Sequence, residues 1–265
     1  MDRQIFLTMQ ITAIFLVLFF LATLAPANNK VVVIPLNSSS GKIPTNTSPC
    51  TSAIAGTIRW TGTVFEGCNG AAWIVFSMPF GTVTSAGQVW MDRNLGASRV
   101  ATSISDSAAY GDLYQWGRLA DGHEQRTSPT TTTLSSSNVP GHGNFITSSS
   151  SPYDWLFGQN GNLWQGVHGI NNPCPAGFRL PTDTEWQTEL STWSSNNSTG
   201  AYNSPLKLVP AGTRNHLDGT ILGIGLGYYW SATANGSNSG VLHFGNALVA
   251  SASRAQGFSV RCIKD

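Results

Sequence analysis

Cys174-Pro-Ala-Gly-Phe-Arg-Leu-Pro-Thr-Asp-Thr-Glu-Trp186 and Gly257-Phe-Ser-Val-Arg-Cys262 decide how this chain is read. The first stretch is a half-cystine, a turn, and then a helix whose start is written in its side chains. Thr182-x-x-Glu185 is a capping box, each side chain answering the other residue's free backbone N–H, and Asp183 sits at the positive end of the helix dipole. Trp186, Leu190 and Trp193 recur at i, i+4 and i+7, an apolar stripe meant for a core, and Asn196-Asn-Ser-Thr-Gly200 is read as the end of the helix. The second stretch reads as a terminal strand. Alternation places Phe258, Val260 and Cys262 on one face and Ser259, Arg261 and Ile263 on the other, so the cysteine looks into the core.

Four cysteines, Cys50, Cys68, Cys174 and Cys262, allow three pairings. Cys174 is expected to pair with Cys262, and Cys50 with Cys68. Closing the longer loop removes on the order of 4–5 kcal/mol of unfolded-chain entropy. Zinc is the competing use of cysteine, but no two cysteines stand at metal-site spacing and no histidine pair is near them. Disulfides imply an oxidising compartment, and the start of the chain agrees. Arg3, the apolar run Ile11 to Leu24 and Ala25-Pro26-Ala27 have the layout of a secretory signal peptide, residues 1–27. The alternative is an uncleaved anchor through residues 5–24, which is long enough to cross a bilayer. The mature chain is expected to be secreted or held at the cell surface, with no membrane span once the signal is removed.

The 265 residues carry 14 Lys and Arg against 13 Asp and Glu, a net charge of +1, with the basic residues scattered. Such a chain has no field to attract nucleic acid, which is excluded as a partner. The 28 glycines and 9 tryptophans suit a turn-rich extracellular β fold. Residues 28–53 hold a short apolar run broken by Pro35 and then a Ser/Thr/Pro-rich linker. The folded domain is expected over 54–265. Strands are read at Thr57–Trp60, Ala72–Phe76, Gln88–Met91, Leu206–Val209, Tyr228–Ser231, Val241–Phe244 and Gly257–Ile263. Residues 127–151, nearly all Ser and Thr with Pro and Gly, read as a low-complexity surface insertion. Short antiparallel strands, one or two helices and long loops make the fold class α+β.

Trp90-Met-Asp-Arg-Asn-Leu95, Tyr110-Gly-Asp-Leu-Tyr-Gln-Trp-Gly117, the Cys174 stretch, Val209-Pro-Ala-Gly-Thr-Arg214, Tyr229-Trp-Ser-Ala-Thr233 and Gly257 to Asp265 occur in the order of a known family. Over about 88–265 the chain resembles the Fibrobacter succinogenes major paralogous domain. The resemblance implies a C-type-lectin-like fold, distantly related to formylglycine-generating-enzyme-like domains, in exported bacterial proteins. It implies no activity.

Three functions follow as expectations: a binding module for a glycan or protein ligand, a structural component of the cell surface or an appendage, and a formylglycine-generating-type enzyme. No catalytic residue, metal ligand or cofactor is assigned. The calcium-site motifs of C-type lectins, Glu-Pro-Asn, Gln-Pro-Asp and Trp-Asn-Asp, do not occur here, and Asp106, Asp112, Asp121 and Asp218 stand singly. The histidines form no H-E-x-x-H pair and there is no G-x-S-x-G elbow. The enzyme reading needs free cysteines, which the expected bridges consume. Candidate ligand contacts are His243, Asn246, Ser251, Ser253, Arg254 and Gln256 on the C-terminal strands, a placement taken by analogy with relatives of the fold. Trp155 and Trp164 are added as rings able to stack on a sugar.

Overall fold

The computed structural model describes residues 49–60, 65–75, 80–244 and 248–265. The expected signal peptide and most of the linker lie outside them. The chain divides into two compact units, one ending at Met78 and one beginning at Pro79, where a single body from residue 54 was expected. In the first unit, β1 (Ile58–Trp60), β2 (Phe65–Cys68) and β3 (Trp73–Val75) form an antiparallel sheet. Cys50 is bonded to Cys68, with Cα atoms 5.4 Å apart. This sheet closes its own hydrogen bonds and carries its own covalent tie, which makes it a separate unit.

The second unit begins with β4 (Thr82–Ser85), β5 (Gln88–Met91), β6 (Tyr114–Gln115), β7 (Thr130–Thr131), β8 (Phe145–Ile146) and β9 (Phe178–Arg179). Two helices follow, α1 (Asp183–Leu190) and α2 (Ser198–Asn203). The rest is β10 (Thr213–Arg214), β11 (Ile221–Leu222), β12 (Tyr228–Asn235), β13 (Asn238–His243), β14 (Leu248–Ser253), β15 (Gly257–Phe258) and β16 (Ile263–Lys264). The sheets run β4-β5-β16-β9, β11-β10-β15-β6 and β12-β13-β14, with β7 and β8 a parallel pair. Antiparallel pairing dominates, as α+β requires.

Alternation along the strands builds two cores instead of one core and a wet face. Met91, Trp230, Val241 and Cys262 belong to one apolar cluster, while their chain neighbours Trp90, Tyr229, Leu242 and Ile263 belong to the other. The terminal segment is therefore buried on both faces, Ser259 and Arg261 included. Arg261 survives there because its guanidinium donates to the carbonyls of Met91 and Leu206 and to Asn94 Oδ1; burial pushes its pKa down to about 10. Cys262 pairs with Cys174, Cα to Cα 5.9 Å, as the alternation required.

The helix starts where its side chains say: Thr182 Oγ1 accepts from the Glu185 N–H, and the Glu185 carboxylate accepts from the Thr182 N–H. It ends at Leu190, earlier than the apolar stripe suggested. The Asn-rich segment read as a terminus instead starts α2, with Asn197 Oδ1 accepting from the Thr199 and Gly200 N–H groups. The Leu206–Val209 strand is absent; this segment is irregular and its leucines pack into the second core.

Residues 127–151 are not a detached surface insertion. Phe145 and Ile146 are fully buried. Gln115 accepts from the Ile146 N–H and donates to the Ile146 carbonyl, Arg118 donates to the carbonyls of His142 and Asn144, and Arg214 donates to Ser128. Composition hid this because the anchoring groups are side chains elsewhere in the chain, aimed at the segment's backbone.

Candidate functional groove

A shallow groove of about 380 Å³ opens where Leu134 faces the turn Ser148 to Gln159. A second depression of about 210 Å³ shares Leu134, Ser148 and Ser150 with it and reaches Leu217. Leu156, which lines the first groove, belongs to a small core with Ile146, Trp155 and Leu163. The walls are fixed by a bridge in which the Ser135 N–H donates to the Trp155 carbonyl and the Phe157 N–H donates to the Ser135 carbonyl, 3.0 and 2.8 Å. Anchored in this way, Phe157 stands 75% exposed, the most exposed large apolar side chain among those described. Tyr153 and Gln159 hold left-handed backbone at φ 57° and 53°, a strained conformation for both residue types at either end of the turn.

Asp154, almost fully buried, lines the same groove. Its Oδ1 accepts from the Leu156 N–H at 3.1 Å, Oδ2 faces Gln159 Nε2 at 3.3 Å and the Arg254 guanidinium at 3.7 Å, and the Trp155 backbone N–H also supports the carboxylate. Burial pushes the carboxyl pKa up, and Arg254 opposes that rise. Arg254 also donates to Gly236, Asn238 and Ser239, so it ties the β12–β13 turn to this loop.

The residues expected to contact ligand are dispersed. Trp155 and Trp164 are fully buried, their indole N–H groups donating to the carbonyls of Trp116 and of Arg118 and Asn171, so neither ring is open to a sugar. Arg254 is buried as described and belongs to the scaffold. Asn246 lies outside the described residues. Pairing sets Ser251 opposite Gly240 and Ser253 opposite Asn238, while His243 lies opposite Leu248; Ser251 and Ser253 therefore share one sheet face and His243 the other. His243 is half-buried, stacked on Tyr228 with ring centroids 4.5 Å apart, and burial lowers its pKa. Gln256 Oε1 accepts from the His216 N–H. These residues make no common surface.

One cluster was missed. Asp121, His123 and Glu124 converge, with His123 fully buried. His123 Nε2 accepts from the Gln115 N–H at 3.0 Å, which assigns the proton to Nδ1, where it is donated to Asp121 Oδ1 at 2.6 Å. A cation on Nδ1 would drive that proton onto Nε2, against the Gln115 N–H, so the trio serves as a clamp and does not fit a metal. All four cysteines are bonded. Among the described residues, no helix is long and apolar enough to cross a membrane. No family model, curated protein or solved structure matches the chain.

Proposed function

We propose that this is an exported, non-enzymatic binding module of C-type-lectin-like fold that takes its ligand in the groove between Leu134 and Phe157. The observation carrying the proposal is the pairing of a largely exposed Phe157 with a buried, loosely satisfied Asp154 in one open furrow. Exposed apolar surface held on a rigid support, beside a few convergent polar groups, is what recognition sites present. The two disulfides fit an extracytoplasmic protein. The cysteines needed for formylglycine-type chemistry are occupied, and His123, fully buried, cannot reach a substrate.

Arrays of glycans and of extracellular proteins, probed with wild-type protein, Phe157→Ala and His243→Ala, test this reading. Saturable binding weakened at least about tenfold by Phe157→Ala and kept by His243→Ala is the expected pattern. Loss in the His243 variant with Phe157→Ala unaffected overturns it. Complete failure of the wild type to bind, with tight retention in the cell envelope, favours the structural-component reading instead.

A further inference from the structure

We infer that the groove takes an uncharged oligosaccharide chain, with Phe157 as the platform for a pyranose face and Asp154 as the acceptor for its hydroxyl groups. The inference rests on the groove reading above and adds the chemistry of the ligand.

Shape comes first. The two depressions share Leu134, Ser148 and Ser150, so the cleft is a furrow running from Phe157 to Leu217 and not a closed chamber. A furrow open along its length accepts a polymer segment. Charge comes second. No lysine or arginine lines either depression, and the one ionisable lining group is Asp154. An acidic polymer would meet a carboxylate with no accessible cation to offset it. A basic ligand would find its only counter-charge already offset by the Arg254 guanidinium at 3.7 Å. Neutral ligands are the class left.

Hydrogen-bonding inventory separates a glycan from a peptide. An extended peptide docks by pairing its backbone with an unpaired strand edge. Along these walls several backbone groups are already committed: the Thr147 N–H to Thr131, the Ser148 N–H to His216, the Ser150 carbonyl to the Tyr153 N–H and, next to Leu134, the Ser135 N–H and carbonyl to the Trp155 and Phe157 backbone. What the furrow offers is hydroxyls, Thr132, Ser149, Ser150 and Ser151, interleaved with the apolar Leu134, Phe157 and Leu217. A pyranose ring has the complementary layout, C–H groups on its faces and hydroxyls at its rim. Exposed hydroxyls both donate and accept, so they match a rim of hydroxyls without imposing charge. Asp154 Oδ2, whose contacts to Gln159 and Arg254 are long at 3.3 and 3.7 Å, can take a stronger, charge-assisted bond from a sugar O–H.

The test is an NMR titration of the secreted chain with cellohexaose, xylohexaose, laminarihexaose and mannohexaose, set against polygalacturonate and a mixed library of extended peptides. At least one neutral hexasaccharide is expected to shift amide signals from 132–134 and 147–159, with affinity reduced at least about tenfold in both Phe157→Ala and Asp154→Asn. Phe157 is a surface residue, so its variant keeps the fold, and retained dispersion of the buried tryptophan signals checks this for Asp154→Asn. Shifts in the same amides caused by polygalacturonate or peptide, but by no neutral sugar, overturn the ligand class and leave the groove standing. Neutral-sugar binding unchanged by Asp154→Asn overturns its acceptor role. Shifts confined to residues outside the furrow, whatever the ligand, overturn the groove reading together with this one.

Discussion

Trp90, Trp116, Trp155, Trp164, Trp186 and Trp230 are sealed in the interior, and each indole N–H donates to a backbone carbonyl. The rings fill volume while their edges fasten loops that have few strand contacts. Trp186→Phe keeps most of the packing but strands the Trp230 carbonyl; urea unfolding should show a loss of about 1–3 kcal/mol, and an unchanged midpoint would contradict this role. His123 makes a pH prediction. Burial holds its pKa near about 4 in the folded chain, against 6.5 when unfolded. Above pH 6.5 the ring is neutral in both states. As pH falls from 6.5 to 4 the unfolded chain takes up the His123 proton first, so the His123 contribution drops by about 3 kcal/mol, against an opposing gain from Asp112, whose buried carboxyl is pushed up to about 6. The Asp121 carboxyl, held below its usual value by its bonds to His123 and Arg118, loses its contribution at lower pH still. His123→Asn should remove that loss, so that the variant gives up less stability than the wild type between pH 6.5 and 4, and an unaltered slope would exclude His123 as a contributor. Single residues were the least legible scale in the sequence. Trp155 and Phe157 lie two positions apart in one aromatic run, and nothing in composition says that the smaller ring is outside. The bridge to Ser135 decides that, and it is non-local.

Elements were read well where their signals are local. The capping box needs only Thr182 and Glu185, and Thr182→Ala should cost about 1 kcal/mol in thermal or urea unfolding. The β5 boundaries were legible for the same reason, and the Cys174–Cys262 pairing followed from the alternation that turns Cys262 into the core. Boundaries set by tertiary contact were not. Trp193 continues the helical spacing but follows the end of α1, its ring edge-on to Phe244 and its N–H on Glu189. Gly240 precedes the strand read at Val241–Phe244 but stands inside β13. It is required there because a β-carbon would collide with Asp183 Oδ1 and Ser231 Oγ, which are hydrogen-bonded to each other across the strand. Gly240→Ala should destabilise by about 1–3 kcal/mol, as overpacking does, while Gly236→Ala in the exposed turn meets no atom and tests only its positive φ.

For the molecule as a whole, short strands and long connections leave much chain to order, and covalent closure reduces that cost. The Cys174–Cys262 bridge joins residues 88 apart, so replacing both cysteines with serine should lower stability by about 4–5 kcal/mol. A variant as stable as the wild type would mean that the double core alone holds the fold. The binding account depends on a different property, that the ligand sits in the furrow and not on the C-terminal strands that the sequence favoured. Amide hydrogen exchange measured with and without the best array ligand tests that most directly. Protection confined to residues 132–134 and 147–159 is the predicted result; protection of 238–243 and 248–256, with the furrow unchanged, would contradict it.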